Sequence, residues 1–228
     1  MKLILIRHGE PDYATDSLTE EGKKQAAAAA KRLQNEGIDR IFTSPKGRAK
    51  ETAAATAELL GLPVETLDFM AEVGWKNATD HDIPWNGHPW RNAEQIVRDG
   101  KDLLDGNWRE TTVFADTVLP ASSATVEKGA EEWFAELGFV REGDSFRCVG
   151  KSGNDRTYAL FSHGGSSSVL LSYALGLPLP YILYSVRPHF TAITILEFPE
   201  NEGELVRPLI RLLNDSAHIT PGNLFYGQ

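Results

Sequence analysis

Two histidines stand in glycine-containing turns that directly follow short apolar runs. His8 belongs to the tetrapeptide RHGE at residues 7–10, and His163 belongs to SHGG at residues 162–165. A neutral imidazole can act as a nucleophile, and a neighbouring guanidinium such as that of Arg7 can bind a tetrahedral dianion through charge-assisted hydrogen bonds. Because a lone histidine at a strand end is more often structural, His8 by itself does not establish catalysis.

A second guanidinium follows another apolar run. Arg48 lies in TSPKGRA at residues 43–49, where a helix is predicted to start. Alone, it would be a solvated helix residue. Two arginines can hold one phosphate dianion together, however, and a helix N-terminus adds N–H donors and a favourable dipole. We therefore expect Arg48 to clamp the same anion as Arg7.

Alternating strands and helices are expected to position these turns. The alternation predicts an α/β fold, a three-layer sandwich with a mostly parallel central sheet flanked by helices. Ligands bind beyond the carboxyl ends of parallel strands, so the two histidine turns should share one crevice. The predicted strands are 2–6, 38–43, 64–67, 157–161, 190–198 and 204–213, and the predicted helices are 19–36, 46–60 and 166–175.

Residues 74–156 interrupt this alternation. We predict one domain over residues 1–228, in which 74–156 form an insertion or lid that covers the site. Within it the sequence predicts a structured loop at 74–95, helices at 92–104 and 124–137, and a small strand or hairpin at 139–149.

The segment 75–90 is rich in aromatic and imidazole rings. Such a group can wall a binding pocket or form a minor core under a long loop, and the sequence leaves both open. A metal site built from the two histidines and the neighbouring Asp80 and Asp82 is disfavoured, because the spacing matches no common ligand pattern. The rings belong to Trp75, Trp85, Trp90, His81 and His88.

The composition limits the class of protein. The 228-residue chain is 41% hydrophobic, has a formal net charge of −9 and contains one cysteine, Cys148. One cysteine excludes an intramolecular disulfide, no apolar stretch approaches the ~20 residues of a membrane span, and the negative charge argues against a nucleic-acid partner. We expect a cytoplasmic protein with no membrane partner, for which a small anionic ligand stays possible and homodimer formation is an option.

The ordered motifs resemble those of the histidine phosphatase, or phosphoglycerate mutase-like, superfamily. The resemblance rests on RHGE at 7–10, LTEEG at 18–22, the SP, RA and TA pairs between 44 and 53, and SHGG at 162–165. It covers residues 2 to about 60 and 157–176, whereas no motif covers 74–156.

This resemblance implies a phosphatase that acts through phosphohistidine without a metal or other cofactor. His8 would attack phosphorus through one ring nitrogen while the other is oriented by a carbonyl such as that of Gly9. Arg7, Arg48 and His163 would surround the non-bridging oxygens and stabilise the charge of the moving phosphoryl group.

The leaving alkoxide needs a proton, which the family supplies from a carboxylic acid after the third strand. Glu72 is the favoured candidate because the residues around it resemble the family's leucine, glutamate, glycine and tryptophan pattern with imperfect spacing. Asp68, Asp80 and Asp82 stay as alternatives, and Glu10 is expected to have a structural role.

Two residues depart from the family pattern. Many members have threonine and asparagine where this chain has Pro11 and Ala14, so one phosphate contact is expected to be missing. Two alternatives to a phosphatase stay open. One is a phosphomutase of the same superfamily, which the few basic residues of the insertion weakly disfavour. The other is a phospho-ligand binding protein without turnover, against which the complete set of Arg7, His8, Arg48 and His163 argues.

Overall fold

The computed structural model describes residues 1–78, 84–150 and 156–219. The strands within these ranges are β1 (Lys2–Arg7), β2 (Pro11–Asp12), β3 (Ser17–Leu18), β4 (Arg40–Thr43), β5 (Val64–Thr66), β6 (Phe139–Glu142), β7 (Ser145–Cys148), β8 (Thr157–Ser162), β9 (Ile193–Glu197), β10 (Leu205–Val206) and β11 (Leu209–Asp215). The helices are α1 (Glu20–Leu33), α2 (Gly47–Leu60), α3 (Pro89–Arg98), α4 (Leu119–Glu136), α5 (Gly164–Leu175) and α6 (Leu179–Ser185).

Six strands form the central sheet, in the order β11-β9-β1-β8-β4-β5. The pairs β1–β8, β8–β4 and β4–β5 are parallel, and β9 runs antiparallel to both of its neighbours. The prediction of a mostly parallel sheet flanked by helices is therefore confirmed. Arg7 lies opposite Ser162 in the β1–β8 register, so the chain turns that carry His8 and His163 leave the sheet side by side.

Alternate residues of β1 face two different cores, as the two-residue period of a strand requires. Leu3 and Leu5 join a core that includes residues of α4 and α5, whereas Ile4 and Ile6 join one that includes Leu33 of α1. The sheet is thus the middle layer of three, with buried apolar side chains on both faces.

A close approach of two glycines fixes α1 against the RHGE turn. A Cβ atom on Gly9 would lie 2.6 Å from the carbonyl oxygen of Gly22, and one on Gly22 would collide with the carbonyl oxygen of Glu10. Thr19 caps α1 through a 3.0 Å bond from the Gly22 N–H, and its hydroxyl donates to Glu10 Oε1 at 2.9 Å. Glu10 therefore connects the turn to the helix.

The predicted strand 204–213 is divided in two. β10 pairs with β7, and together with β6 they form a separate three-stranded antiparallel sheet, whereas β11 pairs with β9 at the edge of the central sheet. Pro208 lies between the two pieces, and a proline has no N–H to donate to a strand ladder. One continuous strand was therefore a wrong prediction.

Helix boundaries in the middle of the chain also differ from those predicted. α3 and α4 both begin earlier than expected, and each carries a proline in its first turn, where a missing N–H costs no hydrogen bond. α3 ends before Gly100, which has a left-handed φ of +67°. The β2–β3 hairpin and α6, which starts directly after Pro178, were not predicted from the sequence.

Part of the segment 74–156 packs directly on the central sheet. Trp133 of α4 is buried, and its ring lies 5.1 Å from that of Phe42 of β4 between centroids. No helix in the described ranges is long and apolar enough to cross a membrane. That 74–156 form an insertion within one domain stays a prediction.

Candidate active site

His8 is the first residue after β1 and is buried, with 1% of its surface exposed. Its Nδ1 lies 2.7 Å from the carbonyl oxygen of Gly9, the partner expected from the sequence. A carbonyl only accepts hydrogen bonds, so Nδ1 carries the proton and Nε2 presents a lone pair. Arg48 Nε donates to that Nε2 at 3.3 Å.

Electrostatics keep the His8 ring neutral. Burial is the main reason that the pKa of His8 lies well below its ordinary value, and the charges of Arg7 and Arg48 lower it further against the opposing effect of the Gly9 bond. A neutral ring keeps the Nε2 lone pair that a nucleophile needs.

Each guanidinium is bound on one side by other residues of the chain. Arg7 Nη1 donates to the carbonyl oxygen of Pro188 at 2.7 Å, and its guanidinium lies over the Phe190 ring, 4.4 Å from the centroid. Arg48 forms a short ion pair with Asp16, whose carboxylate also accepts the N–H of Gly47 at 2.9 Å.

Both guanidiniums are largely buried, at 9% exposure for Arg7 and 8% for Arg48. Within the described ranges Arg7 Nε has no hydrogen-bond partner. A buried, pre-oriented N–H of this kind is a donor suited to an anionic oxygen. Two helix N-termini add to it, because α2 begins next to Arg48 and α5 begins next to His163.

His163 lies at the junction of β8 and α5 and is completely buried. Its ring is edge-on to that of His8, with 5.1 Å between centroids, and its Nε2 lies 2.7 Å from Ser44 Oγ. Burial, then the proximity of His8 and the surrounding cations, holds the pKa of His163 well below its ordinary value.

Glu72 reaches the same place from the chain that follows β5. Its carboxylate accepts the N–H groups of Val73 at 3.0 Å, Ser166 at 2.9 Å and Gly165 at 3.4 Å. Burial raises the pKa of Glu72, although these N–H groups and the charge of Arg7 oppose the shift. The carboxyl group therefore keeps its proton to a higher pH than a solvated glutamate.

The alternatives to Glu72 stand differently. Asp68 begins a 3-10 turn between β5 and Glu72 and is exposed. Asp80 and Asp82 lie outside the described residues. Among those described, Glu72 is the carboxyl group that contacts the first turn of α5 beside His163.

The two glycines of SHGG let two other groups approach α5. A Cβ atom on Gly164 would lie 3.3 Å from ring atoms of Trp90 and 3.7 Å from Arg7 Nε, which places Trp90 next to the arginine. A Cβ atom on Gly165 would lie 2.6 Å from Glu72 Oε1. A larger residue at 165 would collide with the side chains of Val73 and Glu72.

Trp90 is part of an aromatic group with Trp75 and His88. The His88 ring centroid lies 5.7 Å from that of Trp75 and 5.4 Å from that of Trp90. Trp85 is 45% exposed, and His81 lies outside the described residues. In the parts of the chain that the structure describes, no three histidine, cysteine, aspartate or glutamate residues are grouped as metal ligands.

Several residues of the site were not predicted from the sequence. Asp16 sits in the hairpin between β2 and β3 with a left-handed φ of +52°, and Tyr13 of the same hairpin places its ring 5.5 Å from the Arg48 guanidinium. Pro188 and Phe190 lie between α6 and β9, so Phe190 is outside the strand that was predicted at 190–198. Only the Asp-Ser pair at 16–17, a common turn composition, gave any signal.

Comparison with known proteins agrees with this geometry. The model of the histidine phosphatase superfamily (branch 1) matches residues 3–210. The chain is 25% identical to a probable phosphoglycerate mutase GpmB of Yersinia enterocolitica, covering 96% of this chain and 95% of that one. It is 27% identical to a glucosyl-3-phosphoglycerate phosphatase of Mycolicibacterium vanbaalenii, covering 78% and 76%.

A solved structure is similar over nearly its whole length. A mycobacterial glucosyl-3-phosphoglycerate phosphatase in complex with inorganic phosphate superposes with a TM-score of 0.65 at 25% identity, covering 96% of this chain and 99% of that one.

Proposed function

The chain belongs to the histidine phosphatase superfamily, and on that premise we propose that it hydrolyses a small-molecule phosphate monoester through phosphohistidine on His8. The observation that carries the proposal is the neutral His8 Nε2, oriented by Gly9 and lying beside Arg48 and His163. The residues predicted from the sequence lie close to one another: His8 contacts Arg48 and His163, and the charge of Arg7 acts on Glu72.

In the first step, the lone pair of His8 Nε2 attacks phosphorus and the bond from phosphorus to the ester oxygen breaks. Glu72 donates its proton to that oxygen, so the product leaves as a neutral alcohol. Arg48 Nε, which donates to His8 Nε2 in the resting site, becomes free to bind a phosphoryl oxygen together with Arg7 and His163.

In the second step, water attacks the phosphohistidine. Glu72, now a carboxylate, takes the water proton while the new oxygen–phosphorus bond forms and the nitrogen–phosphorus bond breaks. Inorganic phosphate leaves, His8 regains its lone pair and Glu72 is again protonated, so the cycle closes without a metal or cofactor.

We propose that Trp75, His88 and Trp90 contact the organic part of the ester, within the predicted insertion 74–156. This rests on the position of Trp90 beside Arg7 and on the mutual ring contacts of the group. The substrate is then a small organic phosphate rather than a nucleic acid, in agreement with the net charge of −9. We place the protein in the cytoplasm, with homodimer formation compatible with its composition.

The test is to incubate the protein with p-nitrophenyl phosphate with and without a chelator and to trap the phosphoenzyme. We expect chelator-insensitive hydrolysis and an acid-labile, base-stable phosphoenzyme. His8→Ala should abolish both, and Arg48→Ala should lower kcat/KM by about 10²- to 10³-fold because a charged donor to the transition state is lost.

Arg211→Ala is the matched control, because Arg211 also pairs with a carboxylate but lies exposed on β11. Full activity of His8→Ala, or no phosphoenzyme in an active wild type, would refute the nucleophile. If the phosphoenzyme instead returns its phosphoryl group to a phosphoglycerate hydroxyl faster than to water, the protein is a mutase, as one relative's name suggests.

A further inference from the structure

Ser44 joins two strands of the central sheet at the site. It is the first residue after β4 and has no exposed surface. Its N–H donates to the carbonyl oxygen of Phe161 in β8 at 2.9 Å, and its Oγ lies 2.7 Å from Nε2 of His163, 119 residues away in sequence. The hydroxyl is thereby held against the imidazole by the backbone itself.

The surroundings decide which of the two atoms donates. A serine hydroxyl has one hydrogen to give, and Ser44 Oγ already accepts the N–H of Lys46 at 3.3 Å. Among the described residues, His163 Nε2 is the one acceptor within reach of the Ser44 hydrogen. If His163 Nε2 instead donated to Ser44 Oγ, the hydrogen of the Ser44 hydroxyl would be buried without an acceptor among the described residues. Leaving a buried polar hydrogen unpaired costs free energy.

We propose that Ser44 is a positioning residue that fixes His163 as the tautomer protonated on Nδ1, so that Nδ1–H is the donor to a phosphoryl oxygen. Nδ1 is buried and has no hydrogen-bond partner in the described parts of the chain. The other tautomer would place a lone pair there, which would repel an anion.

His8 and His163 then share one tautomer but use opposite ring nitrogens. His8 donates Nδ1–H to Gly9 and keeps the Nε2 lone pair for phosphorus, whereas the Nε2 lone pair of His163 accepts from Ser44 and Nδ1–H is left for the phosphoryl oxygen. One ring is the nucleophile and the other a donor. The catalytic meaning rests on the proposed function, but the tautomer is a property of the resting protein.

The first test is nuclear magnetic resonance of protein labelled with ¹⁵N-histidine, near pH 7, with His163→Asn used for assignment. Two-bond proton–nitrogen correlations separate a protonated ring nitrogen from an unprotonated one. We expect protonated Nδ1 and unprotonated Nε2 for His163, and for Ser44→Ala a mixture or the reverse. A wild-type His163 protonated on Nε2 would overturn the proposal.

The second test is kinetic. Ser44→Ala should lower kcat by about 10- to 100-fold, the effect of losing one hydrogen bond to a buried group, with a smaller change in KM. Ser44→Thr keeps the hydroxyl and should recover most of the activity. Thr43→Val is the control, because it removes the neighbouring hydroxyl, whose one hydrogen bond within the described residues is to the Ser44 carbonyl oxygen at 3.2 Å.

The outcomes separate the inference from the proposed function. A wild type with the Nδ1–H tautomer but without phosphatase activity would refute the function alone. An active wild type in which Ser44→Ala changes neither tautomer nor kcat would refute the inference alone. Should Ser44→Ala fail to fold by circular dichroism, the wild-type tautomer and the activity of Ser44→Thr still decide.

Discussion

Burial disfavours the charged form of two residues of the site, and it therefore shifts their pKa values in opposite directions. It lowers the pKa of His8 and raises that of Glu72, because in each case it disfavours the charged form. Burial therefore favours a neutral imidazole at His8 and keeps the proton on the Glu72 carboxyl group to a higher pH than in a solvated glutamate. The proposed first step requires this pair.

Glu72→Gln should separate esters by leaving group. A glutamine cannot donate a proton, so kcat/KM for an alkyl phosphate should fall by about 10²- to 10⁴-fold, and that for p-nitrophenyl phosphate much less. Glu72 has a raised pKa, so wild-type turnover of the alkyl ester should decline as pH rises through that value. The variant should lack this alkaline decline in steady-state pH profiles.

Asp68→Asn is the control for this substitution, since Asp68 is the described alternative acid and lies exposed. Equal losses on both esters with Glu72→Gln, or a large loss with Asp68→Asn, would mean that the acid is misassigned.

The grouping of the residues in short motifs could be predicted from the sequence, whereas the residues that hold them in place could not. Arg7, His8, Arg48 and His163 lie at or shortly after the ends of recognisable apolar runs. Asp16 and Phe190, which hold the two guanidiniums, lie in irregular chain whose course depends on tertiary packing. No local sequence pattern predicts such a contact.

Between elements, one of the closest approaches is that of α1 to the RHGE turn. Gly22 lies in the first turn of α1 and leaves no room for a Cβ atom beside Glu10. The position of His8 therefore depends on packing against α1, a helix that carries none of the residues proposed for catalysis.

Gly22→Ala should destabilise the protein even though alanine favours a helix by about 1 kcal/mol over glycine. The new Cβ atom would collide with the Glu10 carbonyl oxygen, and we expect a net loss of about 1–3 kcal/mol in the free energy of unfolding. Urea denaturation measures it. Lys23→Ala, next in the helix and exposed, should change stability by less than about 0.5 kcal/mol; a stabilised Gly22→Ala would contradict the packing.

Element prediction succeeded where periodicity was strong and failed where one residue redirected the chain. α1, α2 and the parallel strands lie near their predicted positions because each has a clear apolar pattern and, for the helices, a cap or a terminal glycine. β10 and β11 are separate strands because they pair in different sheets, β10 with β7 and β11 with β9. This pairing depends on residues that are distant in sequence.

Across the whole molecule, two cores share one sheet. α4, within the segment predicted as an insertion, contributes Trp133 and Phe134 to the core on one face, where Trp133 meets Phe42 of the sheet and Phe69 of the chain leading to Glu72. Loosening α4 should therefore loosen the sheet as well.

Trp133→Ala should cost about 3–5 kcal/mol of unfolding free energy, the usual cost of removing a buried aromatic side chain. Because the core is shared, the transitions followed by tryptophan fluorescence and by far-ultraviolet circular dichroism should shift together. Trp85→Ala, at an exposed position, should change little. Two separate transitions would show that α4 and the sheet unfold independently.

The order of the sheet also bears on how a ribosome makes this protein. β8 lies between β1 and β4 in the sheet, where Lys2 pairs with Thr157 and Arg40 pairs with Tyr158. It is nevertheless synthesised long after both of those strands. A nascent chain that has not reached residue 157 leaves β1 and β4 with open edges, the kind of surface that chaperones bind and that invites aggregation. Such a chain also lacks His163, so a prematurely terminated product would be prone to aggregation and would lack one residue of the proposed site.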